Sequence, residues 1–361
     1  MDKPRLLIVD DTPANIRILH ELLRDDYDVR VATGGQAALD LAFSETPPDL
    51  VLLDVVMPDM DGYEVCSRLK ADPRTRQVPV LFVTSLNDEE DEAKGLSLGA
   101  VDYITKPYRA GLVKARVRNH LELKRHRDDL AAMVRERTTE LALTKAVTIE
   151  SLATLAETRD PETGGHIRRT QHYVRVLAER LRQEHPAEWA LDDATVDLLF
   201  QSAPLHDVGK VGVPDHILLK PGQLTPEEYI IMQRHTVYGR DALALAEARL
   251  GQNSFLRLGA EIAYTHHERW DGTGYPRALA GEAIPAPGRL MALADVYDAL
   301  ISRRVYKLPY PHTQAVTIIV GGRGSHFDPA VVDAFLVEAE RFRAVAIEHA
   351  DFPEERAALA E

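Results

Sequence analysis

Over the first 120 residues, short apolar runs alternate with longer amphipathic stretches. Residues 6–9, 29–32, 50–53, 80–83 and 101–104 are short runs rich in β-forming apolar residues, interrupted only by Arg30 and Asp102, and read as strands. Helix-length intervals separate them, and parallel neighbours need crossovers of that length. The pattern predicts a doubly wound α/β domain with a five-stranded parallel sheet. The first interval opens with Asp10-Asp11-Thr12-Pro13. Thr12 is expected at the N-cap with Pro13 at the first helical position, which leaves both aspartates at the carboxyl end of the first strand.

From Val113 onward Gly and Pro are absent until Pro161, and the chain reads as one long connecting helix. Leu123, Leu130, Val134 and Leu141 keep a 3-4 spacing that continues through Thr144, Thr148, Ser151 and Leu155, but Arg127 and Arg137 share the register. Both a coiled-coil seam and a single solvated helix fit that mixture. Past residue 150 the periodicity is helical almost throughout, broken at Pro221-Gly222, at 271–276 and at 285–288. Thr225-Pro226-Glu227-Glu228 has the form of a capping box and is expected to open a helix running through His235. The organisation expected is residues 1–122 as the α/β domain, 123–150 as a helical linker, 151–345 as an all-α domain and 346–361 as a C-terminal tail.

Length and composition sharpen this outline. A chain of 361 residues, 45% hydrophobic and 28% charged, fits two or three globular domains. Its net charge of −14 disfavours nonspecific duplex binding, and no basic recognition helix follows the first domain, so no DNA partner is expected. Apolar runs stop at five residues, as at 242–246, whereas a membrane span needs about twenty; no membrane insertion is expected. The amino terminus runs into the first strand without a signal-like apolar region, so the expected location is cytoplasmic. Cys66 is the sole cysteine, and metals must therefore be held by histidine and carboxylate.

Asp10, Asp11, Asp54, Thr84 and Lys106 all fall at carboxyl ends of predicted strands, the edge where open parallel sheets bind ligands. Crowded carboxylates call for a hard divalent cation such as Mg²⁺. One of them could attack a phosphoryl group, with Lys106 and Thr84 offsetting the developing charge. Asp10-Asp11, the run from Asp54 to Gly62, Thr84-Ser85 and Lys106-Pro107 together resemble the receiver domain of two-component response regulators over residues 4 to about 122. The resemblance implies phosphorylation of Asp54 by a cognate sensor histidine kinase. It also implies Mg²⁺ on Asp11, Asp54 and the Val56 carbonyl, with Asp10 acting through water. Thr84 and Lys106 would contact the phosphoryl group, and Tyr103 matches the aromatic switch position.

Ten of the fourteen histidines lie between residues 160 and 330. His206-Asp207 follows the apolar stretch 196–200, and Asp295 ends the apolar run 290–294. Ionisable groups set among apolar residues need partners, and imidazole with carboxylate suits first-row transition ions. Three segments carry a second resemblance: Arg159-Asp160-Pro161-Glu162-Thr163-Gly164-Gly165-His166, His206-Asp207-Val208-Gly209-Lys210, and His266-His267-Glu268 through Gly274-Tyr275-Pro276. They resemble the HD-GYP subfamily of HD-domain phosphohydrolases over residues 145 to about 340. The resemblance implies hydrolysis of cyclic di-GMP to pGpG, with GMP open as a further product, at a site of two or three Fe or Mn ions. It assigns His206, Asp207, His235, His266, His267 and Asp295 as ligands, with Asp207 bridging, and Glu162 and His166 as those of three-metal members. Asp207 and Lys210 would be catalytic; Lys210, Tyr275, Arg304 and Lys307 would contact substrate. Phosphorylation of Asp54 would control the activity, and a homodimer is expected. Two rival readings are an HD-type enzyme for another nucleotide and a catalytically silent signalling adaptor.

Overall fold

The computed structural model describes residues 3–85, 89–157, 164–184, 186–189, 191–250, 255–303 and 308–360. The chain divides into two compact units, Met1–Thr139 and Glu140–Glu361.

The first unit contains β1 (Arg5–Val9), α1 (Pro13–Leu23), β2 (Asp28–Ala32), α2 (Gly35–Ala42), β3 (Leu50–Asp54), α3 (Gly62–Ala71), β4 (Val80–Thr84), α4 (Glu89–Ser97) and β5 (Asp102–Thr105). It also contains the start of α5 (Ala110–Glu157). The five strands are the five predicted ones, shifted by a residue or so at their ends. They form one parallel sheet in the order β2-β1-β3-β4-β5. Strand alternation sorts the side chains onto two faces. Leu7, Val9, Val51, Leu53, Val80 and Phe82 pack with Ala38, Leu39, Val65 and Cys66 from α2 and α3. Leu6, Ile8, Leu50, Leu52, Leu81 and Val83 pack with Leu19 and Leu23 of α1 and Val113 and Val117 of α5. Each such side chain withdrawn from water contributes about 1.5–3 kcal/mol.

The second unit follows the end of α5 with α6 (Gly164–Glu184), α7 (Pro186–Trp189), α8 (Asp193–Ser202), α9 (Asp215–Leu218), α10 (Pro226–Gln233), α11 (His235–Leu250) and α12 (Phe255–Thr265). Then come α13 (Ala286–Ile301), α14 (His312–Gly321), α15 (Pro329–Val337), α16 (Ala339–Glu348) and α17 (Pro353–Ala360). Tight 3-10 turns at Ala203–Leu205 and Val208–Gly212 bracket His206-Asp207. The main core gathers Tyr173, Leu290, Tyr297, Phe335 and Phe342, with Tyr173 stacked on Phe342 at 4.4 Å. No helix among the described residues is long and apolar enough to cross a membrane.

One local expectation holds in position but not in its capping bond, and one is corrected. Thr12 holds the N-cap position of α1, but its hydroxyl makes no capping bond and lies 3.3 Å from Asp11 Oδ1. The backbone N–H of Thr12 instead donates to Asp10 Oδ1 at 2.8 Å. The capping box of Thr225 and Glu228 is complete, but its helix ends at Gln233, and His235 begins the next one. That break turns the chain so that His235 faces the 3-10 turn rather than continuing along α10.

Candidate functional site

At the carboxyl edge of the sheet, the ends of β1 and β3 bring Asp10, Asp11 and Asp54 together, with ligand oxygens within 4.8 Å of one another. Asp10 and Asp54 are buried and Asp11 is exposed. Lys106, just past β5, reaches Asp10 Oδ2 at 3.0 Å and Asp54 Oδ1 at 3.1 Å. Asn15 Nδ2 donates to Asp10 Oδ1 at 3.0 Å. Burial and the neighbouring Asp10 push the Asp54 carboxyl above its ordinary range, against the pull of Lys106. A divalent cation would relieve that repulsion. Gly62 is required for the loop after β3: a Cβ there would lie 2.2 Å from the Asp54 carbonyl oxygen. Thr84 ends β4, Val56 is 65% exposed on the loop after β3, and the Tyr103 ring lies under the Arg116 guanidinium at 5.0 Å.

In the second unit, His206 and Asp207 sit between the two 3-10 turns, and α11 supplies His235. His266 and His267 follow α12, α6 supplies His166, and α13 supplies Asp295. The turn Val208–Gly212 packs directly on α11. A Cβ on Gly209 would fall 1.9 Å from the His235 carbonyl oxygen, so only glycine lets Asp207 and His235 approach. Asp207 faces two ways. Its Oδ1 lies 3.3 Å from His235 Nε2 and 3.5 Å from His266 Nε2, while its Oδ2 lies 3.4 Å from His206 Nε2 and 2.8 Å from Lys210 Nζ. The first set, with His267, is one compact donor group; a second consists of His206, His166 and Glu157. Asp295 Oδ1 is 3.8 Å from His166 Nε2.

Backbone and carboxylate partners fix the orientation of the rings. Nδ1 of His206, His235 and His266 contacts the carbonyl oxygens of Ala203, Met232 and Ile262 at 3.0, 2.7 and 3.0 Å. A carbonyl only accepts, so Nδ1 carries the proton and Nε2 presents a lone pair to the cluster. His166 Nδ1 meets Asp298 Oδ2 at 2.9 Å, which fixes the same tautomer. His166 Nε2 and His206 Nε2 then face each other at 3.3 Å. With both rings neutral, the two lone pairs repel, and a cation, either a proton or a metal ion, must lie between them. The buried Asp207 Oδ1, His235 Nε2 and His266 Nε2 make no hydrogen bond of good geometry, and the chemistry of this donor set fits first-row metal ions. Burial holds His206 and His267 below their ordinary pKa and brings His235 down to about 4, favouring neutral imidazoles; His266 is the exception, raised against burial by the Asp207 carboxylate beside it. Burial alone would raise Asp207, but Lys210 and the surrounding imidazoles hold it well below the usual carboxylate range.

Tyr275 packs against the His267 ring at 4.8 Å between centroids, and its N–H donates to the His267 carbonyl at 3.2 Å. Buried Glu268 holds this loop by accepting from the N–H groups of Arg277 and Leu279 at 2.8 and 2.9 Å. Glu162, Arg304 and Lys307 lie outside the described residues. Sequence reasoning missed Glu157, Asp298 and Arg169. Glu157 closes the apolar-rich stretch 152–156 and is 3% exposed, the signal that singled out Asp295. Asp298 lies one helical turn beyond Asp295, on the same face of α13.

Comparison with known proteins brings both units into one lineage. Residues 6–118 match the response regulator receiver domain, and residues 150–331 match the HD domain. A probable cyclic di-GMP phosphodiesterase of Vibrio cholerae is 49% identical over 96% of this chain and 80% of its own length. The cyclic di-GMP phosphodiesterase response regulator RpfG of Xanthomonas campestris pv. campestris is 36% identical over 92% of this chain and 86% of its own. A 3'3'-cGAMP-specific phosphodiesterase of Vibrio cholerae is 39% identical over 57% of this chain and 37% of that protein.

Proposed function

This chain belongs to the family of response regulators that join a receiver domain to an HD domain, and from that premise we propose that it hydrolyses cyclic di-GMP under the control of Asp54 phosphorylation. The observation that carries the catalytic half is Asp207, whose two oxygens face two separate imidazole groups 3.3–3.5 Å away. Such a carboxylate suits a bridge between two ions. The ligands we assign are His206, Asp207, His235, His266, His267, His166 and Asp295, with Glu157 beside His166, and Glu162 in a three-metal site. Iron or manganese fits this set. When bound, the ions supply Lewis acidity for the phosphoryl charge and activation of the attacking water.

The protein's own groups do the rest. Lys210 places an ammonium beside the Asp207 oxygen at 2.8 Å and is assigned to the phosphoryl oxygens. Tyr275, lying along His267, is assigned to substrate contact, as are Arg304 and Lys307. The product is linear pGpG, cut onward to GMP if the site accepts a linear dinucleotide. In the receiver, Mg²⁺ held by Asp11, Asp54 and the Val56 carbonyl, with Asp10 acting through water, would prepare Asp54 for phosphoryl transfer from a sensor histidine kinase, with Thr84 and Lys106 binding the transferred group. The stripe Leu123, Leu130, Val134 and Leu141 on α5 is exposed by 56–69% in each case, which supports a homodimer through paired helices.

The deciding experiment is turnover of cyclic di-GMP by anaerobically prepared protein, with metal content measured on the same sample and with and without acetyl phosphate. The donor should change the rate of the wild type and leave that of Asp54→Asn unchanged. Equal responses would remove the regulatory half; absence of turnover by metal-replete protein would remove the catalytic half. A second reading, 3'3'-cGAMP as substrate, has two relatives in its favour, each covered over less than two fifths of its own length, and is separated by offering both dinucleotides.

A further inference from the structure

Three of the cluster histidines take their orienting hydrogen bond from a backbone carbonyl three or four residues earlier in the chain. His166 does not: its Nδ1 rests on Asp298, 132 residues away. Asp298 is held in turn by Arg169, one turn along α6 from His166 and 1% exposed. Arg169 Nε and Nη2 grip the two Asp298 oxygens at 2.6 and 3.0 Å, a bidentate pair. The remaining nitrogen, Nη1, reaches the carboxyl-terminal segment, donating to the His349 carbonyl at 2.8 Å and to Asp351 Oδ2 at 3.0 Å. That segment is itself pinned. Buried Glu355 accepts from the N–H groups of Asp351 and Phe352 at 3.0 and 3.3 Å, and from that of Arg303 at 2.8 Å. The Asp351 carboxylate lies against Gly165, the residue before His166, where an added Cβ would be 2.2 Å from Oδ2.

We propose that the segment around Asp351 and Glu355 is a positioning element of the metal centre: acting through Arg169 and Asp298, it holds His166 in register and so sets ion affinity at the His166–His206–Glu157 group, independently of the Asp207–His235–His266–His267 group. This rests on reading the cluster as a metal centre. The physical reason is that a ring oriented by a carboxylate keeps its tautomer and aim only while that carboxylate is fixed, and outer partners of metal-bound histidines commonly govern affinity about 10–100-fold. Local carbonyls fix the other three rings whatever the carboxyl terminus does. His166 alone among those four depends on a long-range chain of ion pairs.

The test is Mn²⁺ binding by the full chain, measured by calorimetric titration and by ion content after gel filtration. All variants carry Asp11→Asn, which weakens the receiver's own cation pocket. Asp351→Ala and Asp298→Asn should weaken one class of bound ion by about 10-fold or more, with the larger effect at Asp298, while the tighter class is unchanged. Asp298→Asn keeps one acceptor oxygen but leaves the buried Arg169 short of a partner; Asp351→Ala, which removes only a partly exposed side chain, is the variant that spares the fold. Wild-type affinity for every ion in both variants would overturn the proposal. So would equal weakening of all ions, since that marks a general structural role. If the Asp11→Asn parent binds no Mn²⁺, the metal reading fails and this inference with it.

Discussion

The two sites are built on the same small device, an aspartate with a lysine ammonium beside it, and the aspartates respond in opposite senses. Lys106 Nζ lies 3.1 Å from Asp54, and Lys210 Nζ 2.8 Å from Asp207. Burial would raise both carboxyls. Asp54 is indeed raised, because the nearest acidic neighbour, Asp10, adds repulsion. Asp207 is lowered, because imidazoles and Lys210 surround it. One lysine does not decide the state of a carboxylate; the rest of the shell does. An oxygen-only pocket with excess negative charge suits a hard cation such as Mg²⁺, whereas an imidazole-rich pocket around one ionised carboxylate suits iron or manganese.

The strongest way to break this comparison is to remove each aspartate. On the proposed assignment, Asp207→Ala should lower cyclic di-GMP turnover by on the order of 10³-fold and reduce the bound metal, since the carboxylate facing both imidazole groups is lost. Acetyl phosphate labelling of Asp54 should be unaffected. Asp54→Asn should do the reverse, abolishing labelling, because an amide is a poor nucleophile, with the metal content of the second unit unchanged. If either change emptied both sites, the two would not be chemically separate.

Mirror-image glycines offer a finer test. Gly62→Ala and Gly209→Ala each drive a methyl against a backbone carbonyl, at 2.2 and 1.9 Å, at a cost of about 1–3 kcal/mol as the backbone gives way. The first should slow Asp54 phosphorylation and spare metal binding; the second should weaken metal binding and spare phosphorylation. Metal titration and phosphodonor labelling of the same two proteins check both arms.

The smallest effect is a matter of pH. With its folded pKa raised above 3.8, Asp54 binds its proton more tightly in the folded chain than in the unfolded one. Its cost to stability is absent below pH 3.8, grows as pH rises toward the folded pKa and is complete above it. Asp54→Asn should therefore raise the thermal midpoint of the receiver unit in metal-free buffer at pH 7, and less so near pH 4. Saturating Mg²⁺ should close the gap at pH 7. A midpoint unchanged or lowered at pH 7 would show that Lys106 outweighs burial and Asp10.

Much of this protein was legible in its sequence, for reasons of period and spacing. The central strands, buried on both faces, leave nearly unbroken apolar runs that placed β1, β3 and β4, and the shorter β-rich runs at 29–32 and 101–104 placed the outer strands β2 and β5; together they set Asp10, Asp54, Thr84 and Lys106 at one edge. The His206-Asp207 and His266-His267 doublets, and Asp295 at the end of an apolar stretch, stood out because ionisable groups amid apolar residues need partners. Helix ends were less secure. The capping box at Thr225 was readable, but the break before His235 was not, and it sets α11 against the turn at Val208–Gly212. Pairings across long separations lay beyond local pattern altogether. The two-sided aim of Asp207, the arrival of Glu157 beside His166, and the chain from Asp351 through Arg169 and Asp298 join residues as many as 182 positions apart. Spacing along a chain specifies which face of an element a residue occupies. Which faces meet is decided only when the helices close on a common core.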